Sequence, residues 1–129
     1  MTCVLYVDDS PSQLESVQRA LATIGVEVRT AMTVDEAIEC LRDGRVELGL
    51  IDYHLPGASG AEVLQRLRTR AKLPTGLRFY IYTTDNRAQA DYREHGFQGA
   101  ILRKGDTQSL LGQLEPVLRL LQLHRLARS

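Results

Sequence analysis

The feature that most constrains the fold is a regular alternation between short aliphatic runs and longer stretches in which apolar residues recur at helical spacing. The run from Cys3 to Val7, for example, precedes a stretch that places Leu14, Val17 and Leu21 on one helical face. Strands separated by helices need crossover connections, which favour a parallel sheet covered by helices on both faces. The sequence therefore predicts an α/β fold with a doubly wound parallel sheet.

The alternation continues to the end of the chain. Four further strands are predicted by the remaining runs, which are Val26 to Ala31, Val46 to Ile51, Leu77 to Thr83 and Ala100 to Arg103. A helix is predicted after each strand, and the weakest is the one from Asp85 to His95, whose apolar residues are limited to Ala88, Ala90 and Tyr92. Because strand–helix units fill all 129 residues, we expect a single domain over residues 1–129.

The composition argues against two classes of partner. Sixteen basic residues cancel sixteen acidic ones, so no overall electrostatic field favours nucleic acid or an anionic membrane surface. No run approaches the roughly 18 apolar residues of a membrane span, and no export signal is visible at the N-terminus. Cys3 and Cys40 are typical of buried thiols rather than of a disulfide. We therefore expect a cytoplasmic protein without direct nucleic-acid or membrane contacts.

Polar residues stand at the ends of four predicted strands. Asp8 and Asp9 follow the first strand, Asp52 follows the third, Thr83 ends the fourth and Lys104 follows the fifth. Parallel strands end at one edge of the sheet, so we expect these side chains to form one pocket. Carboxylates in a shared pocket repel each other unless a cation neutralises them. Oxygen ligands without histidine or thiolate clusters suit a hard ion, so the pocket predicts a magnesium site.

The same pocket has the groups that phosphoryl transfer needs. A carboxylate beside a divalent ion attacks a phosphoryl donor, while the metal and an ammonium group neutralise the charge on the transferred oxygens. Asp52 is the candidate nucleophile and Lys104 supplies the ammonium group. The hydroxyl of Thr83 would donate to the bound phosphoryl group and draw its own loop toward the site.

These residues carry a family resemblance. Asp8-Asp9, the segment from Ile51 to Gly57 with Gly60, Thr83-Thr84 and Lys104 closely resemble the response-regulator receiver domains of two-component signalling, along essentially the whole chain. The resemblance implies a stand-alone receiver similar to chemotaxis regulators, with the flavodoxin-like strand order 2-1-3-4-5 for which receivers are a known example.

The resemblance also implies roles for individual residues. Asp52 is implied as the phosphoacceptor, and Asp9 and Asp52 as direct ligands of Mg²⁺, for which Mn²⁺ would substitute. The backbone carbonyl of His54 is implied as a third ligand and Asp8 as a ligand through water. His54 and Asp85 stand beside the path of the water that removes the phosphate, so their side chains are implied as modulators of its lifetime.

The resemblance implies a sensor histidine kinase or a histidine phosphotransfer protein as the phosphoryl donor. It further implies a downstream protein target on the face formed by the fourth helix, the fifth strand and the fifth helix. The implied activity is that of a phosphoacceptor switch, with at most weak self-phosphorylation and autodephosphorylation, rather than that of an enzyme.

Two positions depart from the family pattern and keep an alternative open. Receivers usually have a proline after the lysine and an aromatic residue on the fifth strand, where this chain has Gly105 and Ile101. The alternative is a pseudo-receiver that binds proteins independently of phosphorylation. A magnesium-dependent phosphatase with Asp52 as nucleophile is less favoured, because such enzymes usually carry a second aspartate where His54 stands. A flavin-binding protein is less favoured still, because Asp8-Asp9 would repel a phosphate.

Overall fold

The computed structural model describes residues 2–55, 57–103 and 106–128, and within them it contains seven strands and five helices. The strands are β1 (Cys3–Val7), β2 (Glu27–Ala31), β3 (Leu48–Asp52), β4 (His54–Leu55), β5 (Ala58–Ser59), β6 (Arg78–Thr83) and β7 (Gly99–Leu102). The helices are α1 (Pro11–Ala22), α2 (Val34–Leu41), α3 (Gly60–Arg70), α4 (Asn86–Ala90) and α5 (Thr107–Arg128). No helix in these ranges is both long enough and apolar enough to cross a membrane.

The main sheet is parallel throughout and has the order β2-β1-β3-β6-β7. When these five strands are numbered alone, this is the predicted order 2-1-3-4-5, and the predicted doubly wound fold is confirmed. The sequence did not predict β4 and β5, which form a separate antiparallel hairpin in which His54 pairs with Ser59. Strands of two residues are too short to show a period, so no sequence pattern could reveal them.

Most predicted boundaries differ from the observed ones by one or two residues. The third strand includes Asp52, so this residue is the last of β3 rather than the first after it. The fourth helix is limited to Asn86–Ala90 and is followed by turns as far as Gly96, which has a φ of 90°. The predicted helix over Asp85 to His95 was therefore too long, because a segment with so few apolar residues offers little surface with which packing could hold further turns.

Local signals place the helices as the sequence predicts. The hydroxyl oxygen of Ser10 accepts the N–H of Gln13 at the start of α1, and that of Thr33 accepts the N–H of Glu36 at the start of α2. Such capping satisfies backbone donors that a helix leaves unpaired at its first turn. The first helix consequently begins just after the strand whose end carries Asp8 and Asp9, and the second begins just after β2.

Two apolar cores lie on the two faces of the sheet. Alternate residues of β1 separate them, because Leu5 and Val7 pack with residues of α2 and α3, whereas Val4 and Tyr6 pack with residues of α1 and α5. Tyr6 is fully buried in the second core. An aromatic hydroxyl therefore lies beneath the edge of the sheet where the candidate site residues gather.

Candidate functional site

Three carboxylates meet at the carboxyl edge of the sheet, as the sequence predicts. Asp8 and Asp9 follow β1 and Asp52 ends β3, and one oxygen of each lies within 4.8 Å of the others. The parallel pairing of Val7 with Ile51 brings these strand ends side by side. Asp8 and Asp52 are buried, whereas Asp9 is exposed. The cluster therefore has one face open to solvent.

The backbone around Asp52 depends on a glycine. The N–H of Gly60 donates to the carbonyl of Tyr53 at 2.7 Å, which closes the β4–β5 hairpin onto the end of β3. A Cβ atom at position 60 would lie only 2.9 Å from the carbonyl oxygen of Asp52. Any larger residue would push α3 away from the strand that carries the buried carboxylate.

Thr83 and Asp85 lie where the fourth strand of the sheet ends. Thr83 is the last residue of β6 and is 1% exposed. Its hydroxyl oxygen accepts the N–H of Asp85 at 2.9 Å, which leaves the hydroxyl hydrogen for another acceptor. An oxygen of Asp85 in turn accepts the N–H of Arg87 at 2.9 Å. These bonds fix the start of the loop that leads to α4.

The remaining candidates are His54 and Lys104. His54, whose backbone carbonyl is the implied third ligand, begins β4 two residues after Asp52. Lys104, the predicted ammonium group, lies outside the described residues, and so does Gly105. Arg103, the preceding residue, is described and follows β7.

Arg103 forms the contact that sequence reasoning missed. Its Nη2 atom lies 3.0 Å from Oδ2 of Asp8 and 3.0 Å from the hydroxyl oxygen of Tyr6. Its Cζ atom lies 4.5 Å from the centre of the Tyr82 ring, within the range of a cation–π interaction. The signals in the sequence were a tyrosine within the aliphatic first strand and an arginine beside Lys104, but the sequence analysis assigned neither of them a role.

Asp8 is thereby held by three donors. Besides the Arg103 guanidinium, Oδ2 accepts a short hydrogen bond from the hydroxyl of Tyr6. Its Oδ1 atom accepts the N–H of Ser10 at 3.0 Å. Burial and then the hydrogen bond to Asp8 raise the pKa of Tyr6, so this hydroxyl keeps its proton and acts as a donor.

The guanidinium stays charged in this environment. Burial alone would lower the pKa of Arg103, but the neighbouring Tyr6 hydroxyl and the carboxylates of Asp52 and Asp8 outweigh burial and raise it. The site therefore contains a permanent positive charge beside three carboxylates. Together these three carboxylates and the guanidinium of Arg103 keep excess negative charge, so a further cation would be attracted.

The donor set fits magnesium. The cluster offers carboxylate oxygens and neither thiolate nor imidazole among the residues described, and hard oxygen ligands are those that Mg²⁺ prefers. Mg²⁺ usually takes one or two carboxylates and keeps several waters. The exposed side of Asp9 leaves room for those waters.

Comparison with known proteins decides the family. Residues 4–115 match the response regulator receiver domain. The chain belongs to this family. It is therefore a receiver domain of two-component signalling, as the resemblance in the sequence suggested. The receiver is similar to the phosphate regulon transcriptional regulatory protein PhoB of Pseudomonas aeruginosa, with 31% identity over 120 residues, which cover 90% of this chain and 51% of PhoB.

Solved structures share the receiver fold. The chemotaxis response regulator CheY4 of Vibrio cholerae has a TM-score of 0.75 and 25% identity, and the match covers 91% of this chain and 98% of CheY4. TrrA of Thermotoga maritima, solved in complex with Mg²⁺-BeF, has a TM-score of 0.73 and 23% identity over 90% of this chain and 98% of TrrA. TrrA has also been solved with the histidine kinase ThkA. The chain spans about half the length of the curated relatives it matches.

Proposed function

We propose that this receiver is a phosphorylation switch that accepts a phosphoryl group on Asp52 with the help of Mg²⁺. The position of Asp52 carries the proposal: its carboxylate ends β3, is 7% exposed and lies with two other carboxylates within 4.8 Å. A buried carboxylate in such a cluster costs stability, because like charges repel in a medium of low polarity. A function that uses the charge explains why the fold keeps it.

The transfer requires one bond to form and one to break. An oxygen of Asp52 attacks the phosphorus atom of a phosphohistidine, and the bond between phosphorus and the imidazole nitrogen breaks. The electron pair of that bond leaves with the imidazole, which takes up a proton from solvent. Attack by water on the same phosphorus later releases inorganic phosphate and restores the carboxylate.

Neighbouring side chains stabilise the transferred group. The hydroxyl hydrogen of Thr83 donates to one phosphoryl oxygen, since the hydroxyl oxygen already accepts the N–H of Asp85. We assign Lys104 to a second oxygen on the basis of its place after β7. We further propose that the side chains of His54 and Asp85 modulate the access of water, and hence the lifetime of the phosphate.

The bound metal would neutralise charge on the phosphoryl oxygens and on the cluster. Asp9 and Asp52 would hold it directly, with the carbonyl of His54 as a third ligand and Asp8 acting through water. Mn²⁺ would serve in place of Mg²⁺, because both accept the same oxygen donors.

The proposed phosphoryl donor is a histidine kinase or a histidine phosphotransfer protein. This class of partner is supported by membership of the receiver family and by the complex of the similar TrrA with ThkA. We propose that a downstream protein binds the face formed by α4, β7 and α5, without direct nucleic-acid or membrane contacts.

Cys3 and Cys40 are free thiols, which favours the cytoplasm as the location. We also propose that residues 1–129 act as a single receiver domain.

Intact-mass spectrometry tests the proposal. The chain is incubated with acetyl phosphate, with and without MgCl₂, and compared with the variants Asp52→Asn and Asp43→Asn. We expect a magnesium-dependent gain of one phosphoryl group, about 80 Da, in the wild type and in Asp43→Asn, whose substituted residue lies far from the cluster. We expect no gain in Asp52→Asn.

Two other outcomes would redirect the assignment. Absence of any gain under all conditions, with the protein folded, would favour the pseudo-receiver that binds proteins without phosphorylation. Continuous release of phosphate from an unactivated phosphomonoester such as p-nitrophenyl phosphate, with turnover lost in Asp52→Asn, would favour the phosphatase alternative. In either case the proposed switch would be withdrawn.

A further inference from the structure

Arg103 lies at the acidic cluster, and its guanidinium contacts one of the three carboxylates that would surround a metal ion. We propose that Arg103 is a positioning residue that holds Asp8 in a fixed orientation and lowers the affinity of the site for Mg²⁺. The inference rests on the proposed metal site and deepens it. It assigns to Arg103 a role in setting how much divalent metal the receiver needs.

The geometry of Asp8 supports this role. Its Oδ2 atom accepts from the Tyr6 hydroxyl and from Nη2 of Arg103, and its Oδ1 atom accepts from the N–H of Ser10. A carboxylate has about four acceptor positions in all. Three protein donors occupy most of them, so Asp8 is oriented by Arg103, Tyr6 and Ser10 before any ion arrives.

The guanidinium is held in place from a second side. Its Cζ atom lies 4.5 Å from the centre of the Tyr82 ring, and its side chain is only 20% exposed. The buried Nε atom of Arg103 has no hydrogen-bond partner among the residues that the structure describes. A buried donor without a partner is costly, so the pairing with Asp8 must be favourable enough to keep the side chain there.

The net charge of the site determines whether replacing Arg103 raises or lowers the affinity for Mg²⁺. With Arg103 present, the three carboxylates and one guanidinium sum to two negative charges at pH 7, when Lys104 is left aside. Replacing Arg103 by a neutral residue restores three negative charges around the ion. One unit charge several ångströms away in a half-exposed pocket changes a binding constant by about a factor of ten. We therefore expect Arg103→Gln to bind Mg²⁺ about tenfold more tightly.

A thermal-shift titration measures this without phosphorylation. The melting midpoint is recorded against MgCl₂ concentration at constant ionic strength, and the increase gives the dissociation constant because the ion stabilises only the folded state. Four variants are compared with the wild type: Arg103→Lys, Arg103→Gln, Asp8→Asn and the double variant Asp8→Asn/Arg103→Gln. The double variant loses both members of the Asp8–Arg103 pair, so neither is left buried without the other, and this protects the test against a poorly folded Arg103→Gln.

The expected affinities form a pattern that a purely structural arginine would not produce. Arg103→Lys keeps the charge and should stay within about threefold of the wild type, whereas Asp8→Asn should bind about tenfold more weakly. The double variant should return to within about threefold of the wild type, since its net charge is unchanged. If it binds as weakly as Asp8→Asn, or if Arg103→Gln binds no more tightly than the wild type, Arg103 does not set the affinity.

The failure of the inference differs from that of the proposed function. If the wild type shows no Mg²⁺-dependent shift and no magnesium-dependent phosphorylation, the metal site itself is rejected and the inference falls with it. If the wild type binds Mg²⁺ and accepts phosphate but the four variants do not follow the charge pattern, the inference alone is rejected.

Discussion

Charges are arranged differently at the two edges of the sheet. At the edge where strands begin, acidic groups meet arginines: Nη2 of Arg125 lies 2.7 Å from both oxygens of Glu47, and Arg29 contacts both oxygens of Asp43 at 2.7 and 2.9 Å. At the edge where strands end, the described residues include three clustered carboxylates and one guanidinium, that of Arg103. The two pairs named at the first edge are each neutral, whereas the three carboxylates and Arg103 at the second edge together keep excess negative charge.

The two edges also differ in burial. The Arg125 and Glu47 side chains are 46% and 28% exposed, whereas those of Arg103 and Asp8 are 20% and 1% exposed. Exposed ion pairs contribute little because water screens them, whereas breaking a buried pair leaves a charge without compensation. The edge where strands begin, the opening edge, therefore gains only modest stability from its ion pairs. The edge where strands end, the closing edge, keeps a costly arrangement that the proposed cation site would explain.

The largest effect should come from deleting the buried arginine. We expect Arg103→Ala to lower the free energy of unfolding by about 3 kcal/mol without Mg²⁺, because Asp8 would stay buried without its cation. The matched deletion at the other edge, Arg125→Ala, should cost less than about 1 kcal/mol. Urea denaturation in EDTA measures both values.

Addition of Mg²⁺ sharpens this test. The loss of unfolding free energy in Arg103→Ala should shrink as MgCl₂ rises, because the ion then compensates the carboxylate charge that Arg103 no longer balances. The loss in Arg125→Ala should not change. Equal costs for the two deletions, or equal responses to Mg²⁺, would mean that the edges do not differ in the way described.

The second prediction is that neutralising a carboxylate changes the free energy of unfolding in opposite directions at the two edges. Neutralising the exposed carboxylate in Asp9→Asn should raise the free energy of unfolding by about 1 kcal/mol without Mg²⁺, because it removes repulsion between carboxylates within 4.8 Å of one another. Glu47→Gln should lower it by about 0.5 kcal/mol, because it removes an attraction to Arg125. Chemical denaturation of both variants beside the wild type is the measurement. Destabilisation by both substitutions would contradict the excess of negative charge at the closing edge.

Much of the fold could be predicted because it rests on local patterns. The alternation of strands and helices identified five of the seven strands found in the described part of the chain, and resemblance supplied their order. The β4–β5 hairpin could not be predicted, because strands of two residues show no periodic pattern. The end of α4 at Ala90 was predicted too late, because helix length depends on packing against the sheet and apolar spacing alone does not determine that packing.

The candidate site was predictable to a different extent. Asp8, Asp9 and Asp52 could be placed together because parallel strands end at a common edge. The contact of Arg103 with Asp8 joins residues 95 positions apart and depends on the rotamer of a long side chain. No pattern in the sequence specifies that rotamer, so only the structure shows that Arg103 places a positive charge at the site.

The smallest effect concerns acid stability at the opening edge. Hydrogen bonds from Arg29 and then from the backbone of Arg45 lower the pKa of Asp43 from 3.8 to about 2. A carboxyl whose pKa is lower in the folded state stabilises the fold fully above about pH 4, and this contribution is lost as pH falls toward about 2. Asp43→Asn should therefore melt below the wild type near neutral pH, with a difference that narrows between about pH 4 and pH 2.

The melting midpoints of the two proteins, measured at several pH values across that window, give the difference directly. Arg29→Gln is the control, because it removes the arginine that pairs with Asp43. The difference in melting midpoint between Arg29→Gln and the wild type should narrow over the same pH window. The effect should be small, since Asp43 is 45% exposed and solvent screens its pair with Arg29. A difference that stayed constant down to about pH 2 would show that Asp43 acts through packing and not through its charge, and the opening edge would then owe less to paired charges than its geometry indicates.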